Sequence, residues 1–361
     1  MLPVRDLDYE LPESAIATAP AQPRDSARLM VVPHDGPPVH TRITDLPSFL
    51  RSGDLLVLNV TRVAPARFVG VRADTGGRAE GLYLRDDDAG WVVLLRARRL
   101  KSGMRVTLHT ADGADAHAAL VLGTRVESEP GAWKVQVEGR PGETPRDVLR
   151  RVGLTPLPPY ILRAREHTGL VVPDEVDQAC YQTVFAGDDA RSVAAPTAGL
   201  HLTPALLDAL RAMGVRTAEV VLHVGTGTFK PVETEFVEQH PMHEEWCFMS
   251  EAAAEAVRRT RNDGGRVVAV GTTAARTLET YAAGLFGAVP GQWSATRLLI
   301  TPGFRWRWTD RLLTNFHLPR STLMAMVAAK VGGAERLVAL YTQALREGYR
   351  FYSYGDAMLV G

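Results

Sequence analysis

The chain has 361 residues, 45% hydrophobic and 23% charged, with a formal net charge of zero. That length exceeds what one core usually serves, so two domains are expected. A neutral chain exerts no overall pull on nucleic acid, so RNA would have to meet basic residues gathered on one face. No apolar run approaches the roughly 20 residues that span a bilayer, which argues against a membrane protein. With two cysteines, Cys180 and Cys247, and no charged-then-apolar leader, the chain reads as cytoplasmic and free of disulfides.

In chain order, DLLVL (54–58) is an apolar run of strand length. From Val69 to Val137 the texture turns to short alternating segments, VGVRA, GLYLR, WVVLLRA, RVTLH, AHAALVLG and WKVQV, separated by DTGG, DDDAG, KSG, ADGAD and EPG. Evenly spaced short strands with Gly and Asp turns predict a small antiparallel β-barrel. Further on, Thr203 reads as an N-cap, Pro204 as the first helical residue and Gly214 as the stop, with Leu206, Leu207, Leu210 and Met213 on one face. A strand over 218–224, a helix over 251–261, a strand over 266–270, a helix over 273–283 and a last helix opened by Ser321 complete an α/β alternation. The expected fold is an α/β large domain, residues 1–67 and 156–361, with an inserted small antiparallel β-barrel domain at 68–155.

Two runs stand out, SVAAPTAGLH (192–201) and LHVGTGTF (222–229). Each is rich in Gly, Thr and Ala beside a regular element and carries a histidine, which suits a pocket wall where backbone meets ligand. His201 falls just before the helix capped by Thr203, whose free N–H groups would welcome a carboxylate or phosphate. Gly271-Thr272-Thr273 leaves the strand RVVAV and opens a helix, so its N–H groups and hydroxyls either hold an anion or only cap the helix. Gly225-Thr226-Gly227 runs into Phe229, Lys230 and Pro231, which point away from a following helix and so count against a methyltransferase loop. His240 and His243 have a metal-like spacing near Glu244, Glu245 and Cys247. Without a helical HExxH arrangement or a second ligand pair, acid–base work by His243 or Glu244 fits better than zinc.

His317 lies between a strand end and the N-cap Ser321, where α/β sheets build sites. Asp356, after Gly355, either orients an amine or braces a turn, and Phe351, Tyr352 and Tyr354 either stack on a base or pack the core. Three arginine clusters, Arg96-Arg98-Arg99-Lys101, Arg146-Arg150-Arg151 and Arg163-Arg165, lie in or next to the barrel, as solvated surface or as a grip on RNA.

Taken with DYELPESAIA (8–17), LPPYI (157–161), YQTVFA (181–186), AVGTT (269–273), TNFHLP (314–319) and YRFYSYGDAML (349–359), the chain resembles the S-adenosylmethionine:tRNA ribosyltransferase-isomerase family of queuosine biosynthesis. It departs from that family's usual residues at Val60, Gln178 with Ala179, Leu202 and Ala274. The resemblance implies transfer and isomerisation of the ribosyl part of S-adenosylmethionine onto the 7-aminomethyl-7-deazaguanine base at the tRNA wobble position. Epoxyqueuosine-tRNA, adenine and methionine are the implied products. S-adenosylmethionine is then a co-substrate, no cofactor or metal is bound, and the partner is a tRNA anticodon loop carrying the deazaguanine precursor. No membrane is involved, and the chain is expected to work as a monomer.

Such chemistry requires a base for the acidified proton next to the sulfonium, a proton donor for departing adenine and a neutral attacking amine, tasks suited to histidine. The catalytic candidates are His201, His223, His317, His243, Glu244 and Asp356. Substrate contacts are assigned to Pro196, Thr197, Ala198, Gly199, Gly225, Thr226, Gly227, Thr228, Gly271, Thr272, Thr273, Arg276, Thr314, Asn315, Phe316, Ser321 and Tyr354. Contacts to tRNA are assigned to Arg98, Arg99, Lys101, Arg163 and Arg165. The expected pocket is shared by 196–201, 223–228, 271–273, 314–317 and 354–356. Two other readings stay open: a relative using S-adenosylmethionine on a different acceptor, and a non-catalytic RNA-binding module.

Overall fold

The computed structural model describes all residues except Ala89, Ser128, Asp189 and residues 226–231. Two compact units emerge, one joining Met1–Arg62, Pro158–Val171 and Cys180–Gly361, the other Val63–Leu157 and Val172–Ala179. Residues 172–179 thus go with the barrel rather than the α/β part, and Asp174 accepts the Thr155 N–H there at 2.9 Å.

The α/β unit is built on a nine-stranded sheet of β1 (Arg28–Val32), β2 (Val39–Arg42), β3 (Leu55–Asn59), β4 (Arg216–Leu222), β5 (Glu245–Met249), β6 (Val267–Val270), β7 (Trp293–Thr296), β8 (Arg311–Asn315) and β9 (Ala357–Val360). Their spatial order is β7-β5-β4-β3-β6-β8-β9-β1-β2. The four central strands β4, β3, β6 and β8 are parallel neighbours. Parallel strands are normally covered on both faces, which explains why LLVLN and VVAV are buried at every position. Leu55 and Val57 enter one core with Ala254, Leu278 and Met324, while Leu56 and Leu58 enter the other with Leu206 and Leu210.

The covering helices are α1 (Pro159–Thr168), α2 (Pro204–Ala212), α3 (Glu251–Asn262), α4 (Thr272–Ala282), α5 (Thr322–Val331) and α6 (Ala334–Arg346). Thr203, Ser250 and Ser321 cap α2, α3 and α5 by accepting the N–H groups of Leu206, Ala253 and Met324. Met213, expected on the apolar face of α2, is 41% exposed because the helix ends at Ala212 and Gly214 turns the chain at φ 85°. Helix α4 is buried from Thr272 to Tyr281. Its Thr277 and Thr280 hydroxyls return to carbonyls four residues back, and Glu279 accepts the N–H groups of Arg307, Trp308 and Thr309.

The second unit is a closed antiparallel barrel. Its six strands are Arg67–Arg72, Arg78–Asp87, Gly90–Arg96, Arg105–His109, Asp115–Arg125 and Ala132–Glu138, one for each alternating segment of the sequence. Phe68, Trp91, Val106 and Leu120 fill it, joined by Val148 and Val152 from the helix Pro145–Val152.

Candidate active site

Strands β4, β3, β6 and β8 end at Leu222, Asn59, Val270 and Asn315. Over these carboxyl ends lies a cleft, part of it open to solvent. Open α/β sheets bind ligands at this position. Its walls include Pro196, Thr197, Ala198, Val224, Gly271, Thr272, Thr273, Thr314, Asn315, Phe316, His317 and Ser321, together with Tyr160, Tyr352 and Ser353.

Each wall has a local cause. Gly271 leaves β6 at φ 95°, a conformation that favours glycine, and a Cβ there would come into ordinary contact with Ala198 Cβ and Thr273 Oγ1 at 3.7 Å. The chain after β8 turns through Asn315 and Phe316 to His317, whose backbone is gripped from both sides. Its N–H donates to the Tyr341 hydroxyl at 3.1 Å, and its carbonyl accepts from the Tyr9 hydroxyl at 2.6 Å. The ring's Nε2 lies 2.8 Å from Thr314 Oγ1. Burial pushes the His317 imidazole down to about 3, so it is neutral at pH 7. Ser321 lines the cleft but spends its hydroxyl on Leu318 O and the Met324 N–H.

Tyr160 and Tyr352 form an aromatic wall with centroids 4.3 Å apart, and the Tyr160 and Ser353 hydroxyls are hydrogen-bonded. Burial raises both phenols above their ordinary range, so both stay protonated. Tyr352 holds a left-handed φ of 71°, a costly backbone for an aromatic residue and one often met in functional sites. Only TNFHLP, LPPYI and the aromatic tail hinted at this wall.

Several expected site residues lie elsewhere. His201 is 4% exposed behind the wall, its Nε2 3.1 Å from Asn315 Nδ2, while Asn315 Oδ1 accepts from the Thr197 hydroxyl at 2.8 Å. Burial, then the nearby Arg350 and Arg24, lowers its pKa to about 4. The N-terminus of α2 offers no anion corner, because Thr203 both caps it and donates to Asp25 at 2.8 Å. Gly199 serves packing, since a Cβ there would fall 2.5 Å from the Phe185 ring. His223 stacks on Trp293 at 5.2 Å, with Nδ1 3.2 Å from Thr61 Oγ1, one residue before cleft-lining Val224. Gly225 donates to Glu245 at 3.2 Å, and Glu245 pairs with the buried Arg276, which binds this carboxylate rather than lining the cleft. Thr226, Gly227 and Thr228 lie outside the described residues.

Asp356 does not face the cleft either. Its two oxygens accept the Arg28 and Arg350 N–H groups at 2.9 and 2.8 Å, which makes it a brace between chain segments. Tyr354 packs edge-on against Tyr181, and Phe351 is fully buried. His243 is exposed and Glu244 pairs with Arg297 at 3.3 Å on the surface. Among the described residues no group of three or more His, Cys, Asp or Glu is placed to hold a metal. In the barrel, Arg98, Arg99 and Lys101 are exposed and none of them forms an ion pair among the described residues. Arg163 is exposed on α1, whereas Arg165 is 7% exposed and donates to Thr18 O at 3.0 Å, which withdraws it from any RNA surface.

A cleft over the ends of parallel strands, carried by a chain that also folds a closed six-stranded barrel, defines a two-unit α/β protein with a pocket at the place where open α/β sheets bind their ligands. The chain belongs to the family described as "Queuosine biosynthesis protein", whose sequence model matches residues 4–360. It is 47% identical over 357 residues to the S-adenosylmethionine:tRNA ribosyltransferase-isomerase of Gloeobacter violaceus, covering 98% of this chain and 94% of that protein. The protein of the same name from Phenylobacterium zucineum is 46% identical over 360 residues, covering 98% of each. Among solved structures, the S-adenosylmethionine tRNA ribosyltransferase of Thermotoga maritima is similar, with a TM-score of 0.52 and 31% identity over 98% of this chain and 99% of that one.

Proposed function

We propose that the chain is an S-adenosylmethionine:tRNA ribosyltransferase-isomerase. It moves the ribosyl part of S-adenosylmethionine onto the aminomethyl group of a deazaguanine base at the tRNA wobble position and releases adenine and methionine. The observation that carries this reading is the cleft of Gly271, Thr272, Thr273, Thr314 and His317 in a chain of the queuosine family. S-adenosylmethionine enters as a co-substrate. Its carboxylate sits at the Gly271–Thr273 corner, where α4 begins and backbone N–H groups are free of intrahelical partners. Tyr160 and Tyr352 give the adenine or the sulfonium an aromatic face.

In this reading His317 takes the acidified proton from the carbon next to the sulfonium. An imidazole whose pKa is held near 3 is a reluctant base, but the imidazolium it becomes is a strong acid. The same proton is therefore delivered to departing adenine, and the histidine returns to its neutral form. His201 holds Asn315, which in turn holds Thr197. Arg98, Arg99 and Lys101 meet tRNA phosphates from the barrel, and Arg163 meets them from α1. The test is to incubate the protein with S-adenosylmethionine and tRNA bearing the aminomethyl-deazaguanine, following adenine by chromatography and the nucleoside by mass spectrometry. Adenine should appear only when that tRNA is present; none in its presence would overturn the assignment.

A further inference from the structure

Asn59, the last residue of β3, is fully buried and its amide has one possible orientation. Its Oδ1 accepts two backbone N–H groups, from Leu222 at 3.1 Å and Thr61 at 3.2 Å. A flipped amide would turn its own N–H groups against both donors. Nδ2 therefore faces two acceptors, Leu222 O at 3.2 Å and Thr273 Oγ1 at 3.1 Å. All four hydrogen-bonding positions of the amide are filled, so nothing lets it rotate.

The consequence falls on Thr273, which lines the cleft at 9% exposure. Its hydroxyl receives a proton from Asn59, and among the described residues no acceptor takes its own. The hydroxyl proton is left for the cleft, and Gly271, lacking a Cβ, leaves the Oγ1 uncovered on that side. The contrast with Thr197 is instructive, because the Asn315–His201 pair beside it reads equally well with the amide reversed and the other histidine tautomer. Of these two amides, Asn59 is the one that imposes a polarity.

We infer that Asn59 is a positioning residue that holds the Thr273 hydroxyl in donor mode, so that this corner of the cleft selects an oxyanion on the bound ligand. The inference rests on the proposed function, in which the cleft receives S-adenosylmethionine. Its oxyanion is the methionine carboxylate or, from the other substrate, an RNA phosphate. A merely structural Asn59 would tolerate any isosteric change that keeps the fold. Asn59→Asp keeps the shape and the two N–H acceptances, yet it turns an acceptor toward Thr273 and recaptures its proton; it also gives up the donation to Leu222 O, a loss that the double variant with Thr273→Val separates from the effect on the hydroxyl.

The experiment measures binding of S-adenosylmethionine, of its decarboxylated analogue and of tRNA to the wild type and to Asn59→Asp, Thr273→Val, Thr273→Ser and the Asn59→Asp/Thr273→Val double variant. With a carboxylate ligand, Asn59→Asp and Thr273→Val each weaken S-adenosylmethionine about tenfold or more, as expected for losing a hydrogen bond to a charged group. KM then rises more than kcat falls, the double variant is no worse than either single one, and Thr273→Ser restores affinity. The decarboxylated analogue binds all of them alike. If tRNA alone weakens, the oxyanion is a phosphate. Equal losses for both S-adenosyl compounds, or an Asn59→Asp effect that persists in full beside Thr273→Val, overturns the inference. A wild type that binds no S-adenosylmethionine overturns the proposed function instead. If circular dichroism shows that Asn59→Asp does not fold, Asn59→Ser replaces it in the same cycle.

Discussion

His317 and His201 are both held neutral by burial, but they differ in what they touch. His317 borders the cleft, whereas His201 reaches it only through Asn315 and Thr197. Replacing His317 with Ala or Gln should lower kcat by more than about tenfold with little change in S-adenosylmethionine affinity, as for a group acting mainly in the transition state. His223→Ala should have a smaller effect, since its ring stacks on Trp293 outside the cleft lining. Single-turnover adenine release separates the cases, and a His317→Ala variant with normal release would move proton transfer to another group.

The same burial makes stability depend on pH. Both folded pKa values, about 4 and about 3, lie below the ordinary 6.5. Above pH 6.5 neither histidine contributes. As pH falls from 6.5, the unfolded chain takes up protons that the folded chain refuses. Stability then drops by up to about 1.4 kcal/mol per pH unit for each histidine, levelling off once the folded values are passed. Urea unfolding at pH 7 and pH 5 measures the slope. His201→Gln should flatten it, and an unchanged slope would mean that His201 binds protons equally well in the folded and unfolded chain.

At the scale of elements, two glycines of the cleft neighbourhood separate function from packing. Gly271→Ala puts a Cβ on a residue at φ 95° and against Thr273 Oγ1, so it should cost roughly 1 kcal/mol of stability and weaken S-adenosylmethionine binding as well. Gly199→Ala drives a Cβ into the Phe185 ring at 2.5 Å, so it should destabilise more while leaving the affinity of the folded fraction nearly intact. Melting temperatures and binding isotherms for the two variants distinguish these outcomes. If Gly199→Ala weakens binding as much as Gly271→Ala does, the 3₁₀ turn Thr197–His201 contacts ligand after all.

The elements were legible because their signals are local. Alternation with Gly and Asp turns marked all six barrel strands, and Thr203 and Ser321 are caps with clear sequence signatures. Four of the five strings expected around the pocket do contribute to it, because Gly, Thr and His cluster at strand ends where the cleft opens. What stayed hidden depends on contacts between residues far apart in the chain. Asp356 reads as an exposed turn acid until Arg28, 328 residues away, is seen donating to it. Arg276 reads as a ligand contact until Glu245 meets it. Nothing near His317 announces Tyr9, 308 residues away, as one half of its clamp. Asn59 looks like a strand-end polar residue, and only the sheet register that sets it beside Val220 brings it to Leu222 and the start of α4.

At the scale of the whole molecule, zero net charge means that tRNA must be gripped locally. Several barrel arginines already face a carboxylate, since Arg72, Arg85, Arg105, Arg146, Arg150 and Arg151 are each paired with one. Arg98, Arg99 and Lys101 are exposed, lie within four residues of one another and form no ion pair among the described residues, as is also true of Arg96 beside them, which makes this cluster the one to test for phosphate. Replacing all three with Gln should weaken tRNA binding and reduce the slope of log affinity against log salt by about 0.7 to 0.9 for every phosphate that is no longer neutralised. S-adenosylmethionine affinity should be unchanged, since the cleft lies in the other unit. A control with Arg146, Arg150 and Arg151 changed to Gln should alter the slope less, because those charges already have carboxylate partners. Titrating wild type and both triple variants with tRNA across a salt series measures this division of labour. If neither variant changes the slope, these charges are ordinary solvated surface and the phosphates are met instead by the α/β unit, where exposed Arg163 is the next residue to change.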